Sequence, residues 1–160
     1  MHIGAGGVAT VTMVRTDKHN ALHQAMFEGL MNAAGQLAED TSVRAVVLHG
    51  EGKSFCSGLD IASFMSGRGG TGVLLDRDHD RLANFAQRVS YDWSLVPAPV
   101  VAAIHGNCFG GGLQIALGAD IGSRRRTPSC PSWRSSGGSF PTWASRRHSR
   151  DSYRSTLPRS

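Results

Sequence analysis

Between Ile104 and Gln114 the chain reads Ile-His-Gly-Asn-Cys-Phe-Gly-Gly-Gly-Leu-Gln, and few folds accommodate such a run. A β-branched stretch (Val100, Val101, Ile104) leads in, and an apolar pattern of helical spacing (Leu113, Ala116, Leu117) leads out. Consecutive glycines at Gly110, Gly111 and Gly112 remove every Cβ from a strand-to-helix turn. The backbone there can approach a ligand closely and adopt positive φ. A helix that starts at such a turn leaves N–H groups without intrahelical acceptors, backed by the positive end of its dipole. Such a turn suits a phosphate or an oxyanion that develops during a reaction. The bland alternative is a tight crossover with no ligand, and one glycine cluster alone favours that alternative.

The surrounding pattern is alternating α and β. Val8 to Val14 alternates β-branched and small residues and predicts a strand, followed by a polar turn from Arg15 to Asn20. Leu22, Met26, Leu30, Ala33 and Leu37 recur at helical spacing and predict an amphipathic helix. Arg44 to His49 predicts a short buried strand, and strand–helix–strand order implies a right-handed crossover. A loop from Gly50 to Gly58 leads to a short helix near Asp60 to Met65, and Gly67 to Gly72 predicts a mobile surface loop. Leu82, Phe85, Val89 and Trp93 predict a further helix, with Asp76, Asp78 and Asp80 at its N-terminal end. Val100 to Ile104 predicts the next strand.

Composition divides the chain at one point. Up to Ile121 there are eight Lys/Arg against eleven Asp/Glu, whereas from Gly122 onward there are nine Arg and a single acid, Asp151. An Arg/Ser/Pro-rich segment without apolar periodicity cannot bury a core, so disorder is expected from about Gly122. Residues 1–30 lack the apolar core of a secretory signal and no window suits a transmembrane helix, so a soluble cytoplasmic protein without membrane association is expected. Cys56, Cys108 and Cys130 lack C-x-x-C spacing and are expected as reduced thiols.

Several apparent motifs fail on their chemistry. Gly52-Lys53-Ser54 follows a strand, but Val47 stands where a P-loop needs glycine. Asp76, Asp78 and Asp80 resemble the start of a calcium loop, but Arg81 occupies the sharp-turn position. His19 and His23 have no third ligand or H-E-x-x-H context, so no metal is expected. Cys108 has no readable His–acid partnership and is better taken as a small buried thiol than as a nucleophile. What remains is a pair of loops, Phe55–Ile61 and Gly106–Gln114, each following a strand and each opening a helix. If the two strands are parallel neighbours, the loops leave the same sheet edge, and one N–H from each can converge on a single oxygen.

This pairing resembles the crotonase superfamily, the enoyl-CoA hydratase/isomerase group, from about Gly7 to Ile121. Asp17 to Leu22 is similar to the family's N-A-L entry to its first helix, Val43 to Asp60 to its strand and following loop, and Pro97 to Asp120 to its glycine-rich segment. The resemblance implies an α/β fold, a crotonase-like ββα spiral. It is incomplete here: residues 1–121 form the N-terminal part of such a domain and residues 122–160 a disordered tail. It also implies a CoA thioester as substrate rather than cofactor, and an enolate held by the backbone N–H groups of Leu59 and Gly111. Ala21, Leu22, Cys56, Gly58, Asp60 and Ile61 correspond to positions that hold CoA. The family's hydratases use two glutamates as general acid and base. Gln114 stands at the first of these positions and Arg134 at the second. The family assembles as trimers or hexamers, and the trimerisation region would be missing here.

The segment after Ile121 also reads as a reading-frame change. With permitted codons and a one-base slip, Gly122 to Trp143 re-reads as RIAPPDAKLSVMEVKWGLIPDM, which resembles the absent family segment and places a glutamate at position 134. The expectation is therefore a truncated, frameshifted family member of fatty-acid metabolism, weak or inactive. The alternatives are a non-catalytic acyl-CoA-binding fragment and, ranked lower, a nucleic-acid binder acting through the basic tail. The tail lacks the helical charge stripe and aromatic interleaving of a specific nucleic-acid reader.

Overall fold

The computed structural model describes residues 1–66, 70–77, 79 and 82–124. Five strands form one sheet in the order β1 (His2–Ile3), β2 (Val8–Met13), β3 (Ala45–Gly50), β4 (Val100–Ile104) and β5 (Ile121–Arg124). β1 runs antiparallel to β2, and every later pairing is parallel. The helices are α1 (Gln24–Glu39), α2 (Ile61–Ser66), α3 (Phe85–Tyr91) and α4 (Gly111–Gly118).

Strand periodicity builds the core. Ala9, Val46 and Val100 align across β2, β3 and β4, as do Val11, Leu48 and Ala102, and all six are buried. Against this cluster pack Phe27, Leu30 and Leu37 of α1, Val89 of α3 and Trp93. The alternate residues face the other side and are only half-buried. There Thr12 and His49, paired in register, share a hydrogen bond of 3.0 Å between Oγ1 and Nε2. A parallel sheet is ordinarily covered on both faces, and this one is fully covered on one.

The helices depart from the sequence pattern at their ends. Leu22 lies two residues before α1, in an extended segment bridged to Leu59, and is fully buried there. The helix itself buries Phe27, Leu30, Met31, Ala33, Ala34 and Leu37. α3 begins at Phe85, and the cap is a reciprocal box: the Asn84 side chain accepts from the Gln87 N–H while the Gln87 side chain accepts from the Asn84 N–H. Leu82 therefore precedes the helix and is exposed, and Trp93 follows it in a 3-10 turn spanning Asp92–Leu95. Where a loop is expected from Gly67 to Gly72, Gly70–Leu75 forms a 3-10 helix. Residues 67–69, Asp78 and Asp80 lie outside the described residues.

In α4 the buried residues are Gly112, Ile115 and Ala116, while Leu113 and Leu117 face outward. β5 pairs Val101 to Ile104 with Ile121 to Arg124, so ordered strand continues past the composition change at Gly122. The backbone of β4 supplies the pairing partner there, and ladder hydrogen bonds do not require apolar side chains. Cys130, Arg134 and the rest of the basic segment lie outside the described residues.

Candidate active site

Because β3 and β4 are parallel neighbours, the loops that follow them leave the same edge of the sheet, and they join along their backbones. The Phe55 N–H donates to the His105 carbonyl at 2.8 Å and the Cys56 N–H to the Asn107 carbonyl at 3.0 Å. The Phe109 N–H donates back to the Cys56 carbonyl at 3.1 Å. Cys56 and Cys108 thus form a parallel bridge between the loops.

The second loop is also tied to the segment before α1. The Leu22 N–H donates to the Gly58 carbonyl (2.8 Å), and the Asp60 N–H donates to the Leu22 carbonyl (2.9 Å). In a parallel pairing of this kind one residue bonds both neighbours of its opposite, so the opposite residue's own N–H faces the other way. That residue is Leu59, and its N–H has no acceptor among the described residues. Gly58 takes φ +99°, a turn that L side chains resist, and the glycine turn lies against it. A Cβ at Gly58 would come to 3.1 Å from the Phe109 carbonyl oxygen and 3.8 Å from the Gly110 Cα.

Gly110 is the residue before α4 and takes φ +48°, ψ −117°, which lets the helix begin abruptly. Gly111 is the first helical residue, and its N–H is among those that no intrahelical carbonyl can satisfy. The Gly112 and Gln114 N–H groups have acceptors, at Phe109 (2.9 Å) and Gly110 (3.1 Å). Among the described residues, then, Leu59 in one loop and Gly111, at the start of α4 in the other, each carry an N–H without an acceptor. A pair of fixed N–H donors on touching loops is the arrangement that stabilises an oxyanion without reorganisation during reaction.

The remaining sequence-named residues divide by position. The side chains of Leu22 and Cys56 are fully buried and cannot touch a surface ligand; they serve as floor. Leu22 lies where a Cβ at Gly111 would come within 2.7 Å, and Cys56 lies under Gly112. Ala21 is half-buried and Ile61 is exposed, at the rim. The Asp60 carboxylate is engaged within the protein: it accepts from the Ser63 hydroxyl (2.7 Å), the Ser63 N–H (3.1 Å) and Arg15 Nη2 (2.7 Å). The Ser63 hydrogen bonds and the Arg15 guanidinium lower its pKa to about 2. Burial raises the Cys56 thiol to about 11, and burial also raises Cys108, so neither is a thiolate near neutrality.

Gln114 sits on the exposed side of α4, its carbonyl accepting from the Ser90 hydroxyl at 2.7 Å. With Leu82, Gln87, Tyr91 and Leu117 it borders an open groove of about 470 Å³ between α3 and α4. A neutral amide there can orient water by hydrogen bonding but does not exchange protons near pH 7.

Two residues that the local pattern does not mark hold the site together. Asn20 is buried in the left-handed region (φ 56°). Its Oδ1 accepts from the Arg15 N–H, and its Nδ2 donates to the carbonyls of Glu51 and Ser54. Arg15 spans to Ala21 and Asp60. The readable signal is Asn itself, the non-glycine residue most tolerant of that conformation.

Among the described residues no group of His, Cys, Asp and Glu is arranged to hold a metal, and no helix is long and apolar enough to cross a membrane.

A mostly parallel α/β sheet whose neighbouring loops join along their backbones and each open a helix defines the class of fold. Residues 4–151 match the family model for enoyl-CoA hydratase/isomerase, and the chain belongs to that family. A probable enoyl-CoA hydratase of Bacillus subtilis is 35% identical over 114 residues, 71% of this chain and 42% of that protein. The 4-chlorobenzoyl coenzyme A dehalogenase-2 of an Arthrobacter species is 34% identical over 133 residues, covering 82% of this chain and 47% of that protein. The crystal structure of an enoyl-CoA hydratase from Mycobacterium smegmatis superposes with a TM-score of 0.64 at 33% identity, over 77% of this chain and 46% of the other. The fold is therefore crotonase-like, and the chain spans less than half the length of these relatives.

Proposed function

We propose that this chain carries the thioester-binding half of an enoyl-CoA hydratase/isomerase site and lacks its proton-transfer half. The observation that supports the reading is the pair of N–H groups, at Leu59 and Gly111, left without acceptors on two touching loops. They polarise the carbonyl of an acyl-CoA and stabilise its enolate, a contribution of about 3–4 kcal/mol per donor in comparable holes. Hydration across a double bond further needs an acid and a base near the acyl chain. Gln114 supplies neither, and Arg134 stands where the resemblance places the second carboxylate. The product is accordingly a weak or inactive catalyst that still binds acyl-CoA.

The Arg/Ser/Pro-rich composition from Gly122 supports an out-of-frame origin for the tail, although the family match runs on to residue 151. The coding DNA decides this: codons that cannot yield the re-read string in the neighbouring frame refute it. For the site, calorimetry with crotonyl-CoA should show binding while a hydration assay shows turnover far below family rates. Turnover at family-like rates would refute the assignment of lost chemistry, and absence of any acyl-CoA binding would refute the retained half.

A further inference from the structure

We propose that Arg15 and Asp60 form a positioning pair that holds the Leu59 N–H in line with a thioester oxygen; the inference rests on the oxyanion reading above. Backbone hydrogen bonds to Leu22 set the register of the segment carrying Leu59, while the orientation of the Leu59 peptide also depends on the side chains around it. The segment follows Gly58 in a positive-φ turn, and two hydrogen bonds to Leu22 flank the donor. The donor's other neighbour is Asp60, and there the anchoring changes character. Arg15 Nη2 meets Asp60 Oδ2 at 2.7 Å while Arg15 Nη1 donates to the Ala21 carbonyl at 3.0 Å. One guanidinium therefore grips the residue after the donor and the segment that the donor's neighbours bond to. Its planar fork makes two fixed contacts where an ammonium makes a point contact.

Both partners are themselves held. The Arg15 N–H donates to Asn20 Oδ1 at 2.8 Å, and Asn20 is buried against the carbonyls of Glu51 and Ser54. Asp60 also caps α2 through the Ser63 N–H and hydroxyl. Loss of the pair loosens the orientation of the Leu59 N–H, with the backbone register to Leu22 kept and no core side chain removed. Arg15 and Asp60 keep 19% and 15% of their side-chain surface exposed, at the rim of the fold. Oxyanion donors must be placed within a fraction of an ångström to act, so a small slip there costs function before it costs folding.

The test uses the full chain and crotonyl-CoA labelled with 13C at its carbonyl, with free CoA as the ligand that lacks the carbonyl. In the native chain the bound carbonyl 13C resonance should move downfield from its free position. Asp60→Asn keeps an acceptor for Ser63, and Arg15→Met keeps the aliphatic stem. Each should lose most of that shift and lower the preference for crotonyl-CoA over CoA by about tenfold. Arg15→Lys should restore part of both. If Asp60→Asn and Arg15→Met retain the full shift and preference while only melting earlier, the pair is structural and the proposal falls. If the native chain binds crotonyl-CoA with no carbonyl shift, or does not bind it, the oxyanion reading falls and takes this proposal with it.

Discussion

Replacing glycine by alanine should have opposite signs on two helices of this fold, and the reason is written in the packing around Cys56. In α1, a Cβ at Gly35 meets nothing within 4 Å. Gly35→Ala therefore collects the helix-propensity gain, about 0.8–1 kcal/mol. In α4, a Cβ at Gly112 would lie 2.6 Å from the Cys56 Cβ, 2.7 Å from its carbonyl oxygen and 3.0 Å from its Sγ. The first two atoms belong to the loop bridged to Cys108 and cannot swing aside as a flexible side-chain end would. Overpacking of this kind costs about 1–3 kcal/mol, and the propensity gain is smaller in a first helical turn, so Gly112→Ala should lose about 1–2 kcal/mol net. Equilibrium urea unfolding of both variants measures the difference. With a slope of about 1–3 kcal/mol/M, the two midpoints should separate by roughly 1 M, Gly35→Ala above the native chain and Gly112→Ala below it. If Gly112→Ala unfolds at or above the native midpoint, α4 does not bear on the Cys56 loop as described. The account of the site floor would then be wrong.

Other consequences follow from the same contacts. Phe27 meets Phe64 edge-on at 5.7 Å and stacks on Phe85 at 5.5 Å, so Phe27→Ala should cost about 3–5 kcal/mol; a loss under 1 kcal/mol by chemical denaturation would contradict the packing. Asp60, held at about 2 against an ordinary 3.8, contributes stability that is full above its unfolded value and is lost as pH falls through its folded one. Acid unfolding should therefore steepen between about pH 4 and pH 2 in the native chain and be flatter there in Asp60→Asn. Cys56 is shifted the other way, to about 11 from 9.0, so its contribution is full below the unfolded value and lost as pH rises through the folded one. Alkylation of Cys56 by iodoacetamide should be slow at pH 7–8 and accelerate only toward pH 11; rapid labelling at neutral pH would refute its burial as a thiol. Cleaving off residues 125–160 should leave acyl-CoA affinity unchanged within about twofold, since both proposed donors, Leu59 and Gly111, precede the cut; a larger loss would implicate the basic segment in binding.

Much of the architecture follows from local pattern. The β-branched run at Val100 to Ile104, the alternation at Val8 to Met13 and the apolar spacing in α1 each encode a strand or helix, because periods of two and 3.6 place one face toward a core. Gly58 and Gly110 are likewise legible, since positive φ at a turn selects glycine. Element ends were less so. Leu22 has the spacing of a helical residue, but pairing with Gly58 and Asp60 draws it into an extended bridge before α1 begins. Leu113 and Leu117 look like a buried stripe, yet the close approach of Gly112 to Cys56 sets the rotation of α4 and turns both leucines outward.

By itself the sequence determined that two glycine-bearing loops each follow a strand and each open a helix, and that positions 114 and 134 carry glutamine and arginine rather than carboxylates. The tertiary structure decided which N–H groups are left over. Leu59 has a free donor because Leu22, distant in sequence, bonds Gly58 and Asp60 on either side of it. Arg15 reaches Asp60 because α1 carries the chain across to β3, so the following loop returns beside it. Hydrogen-bond accounting is closed only when every partner is in place, and those partners come from separate strands. Periodicity writes the elements, and the meeting of the loops assigns the donors.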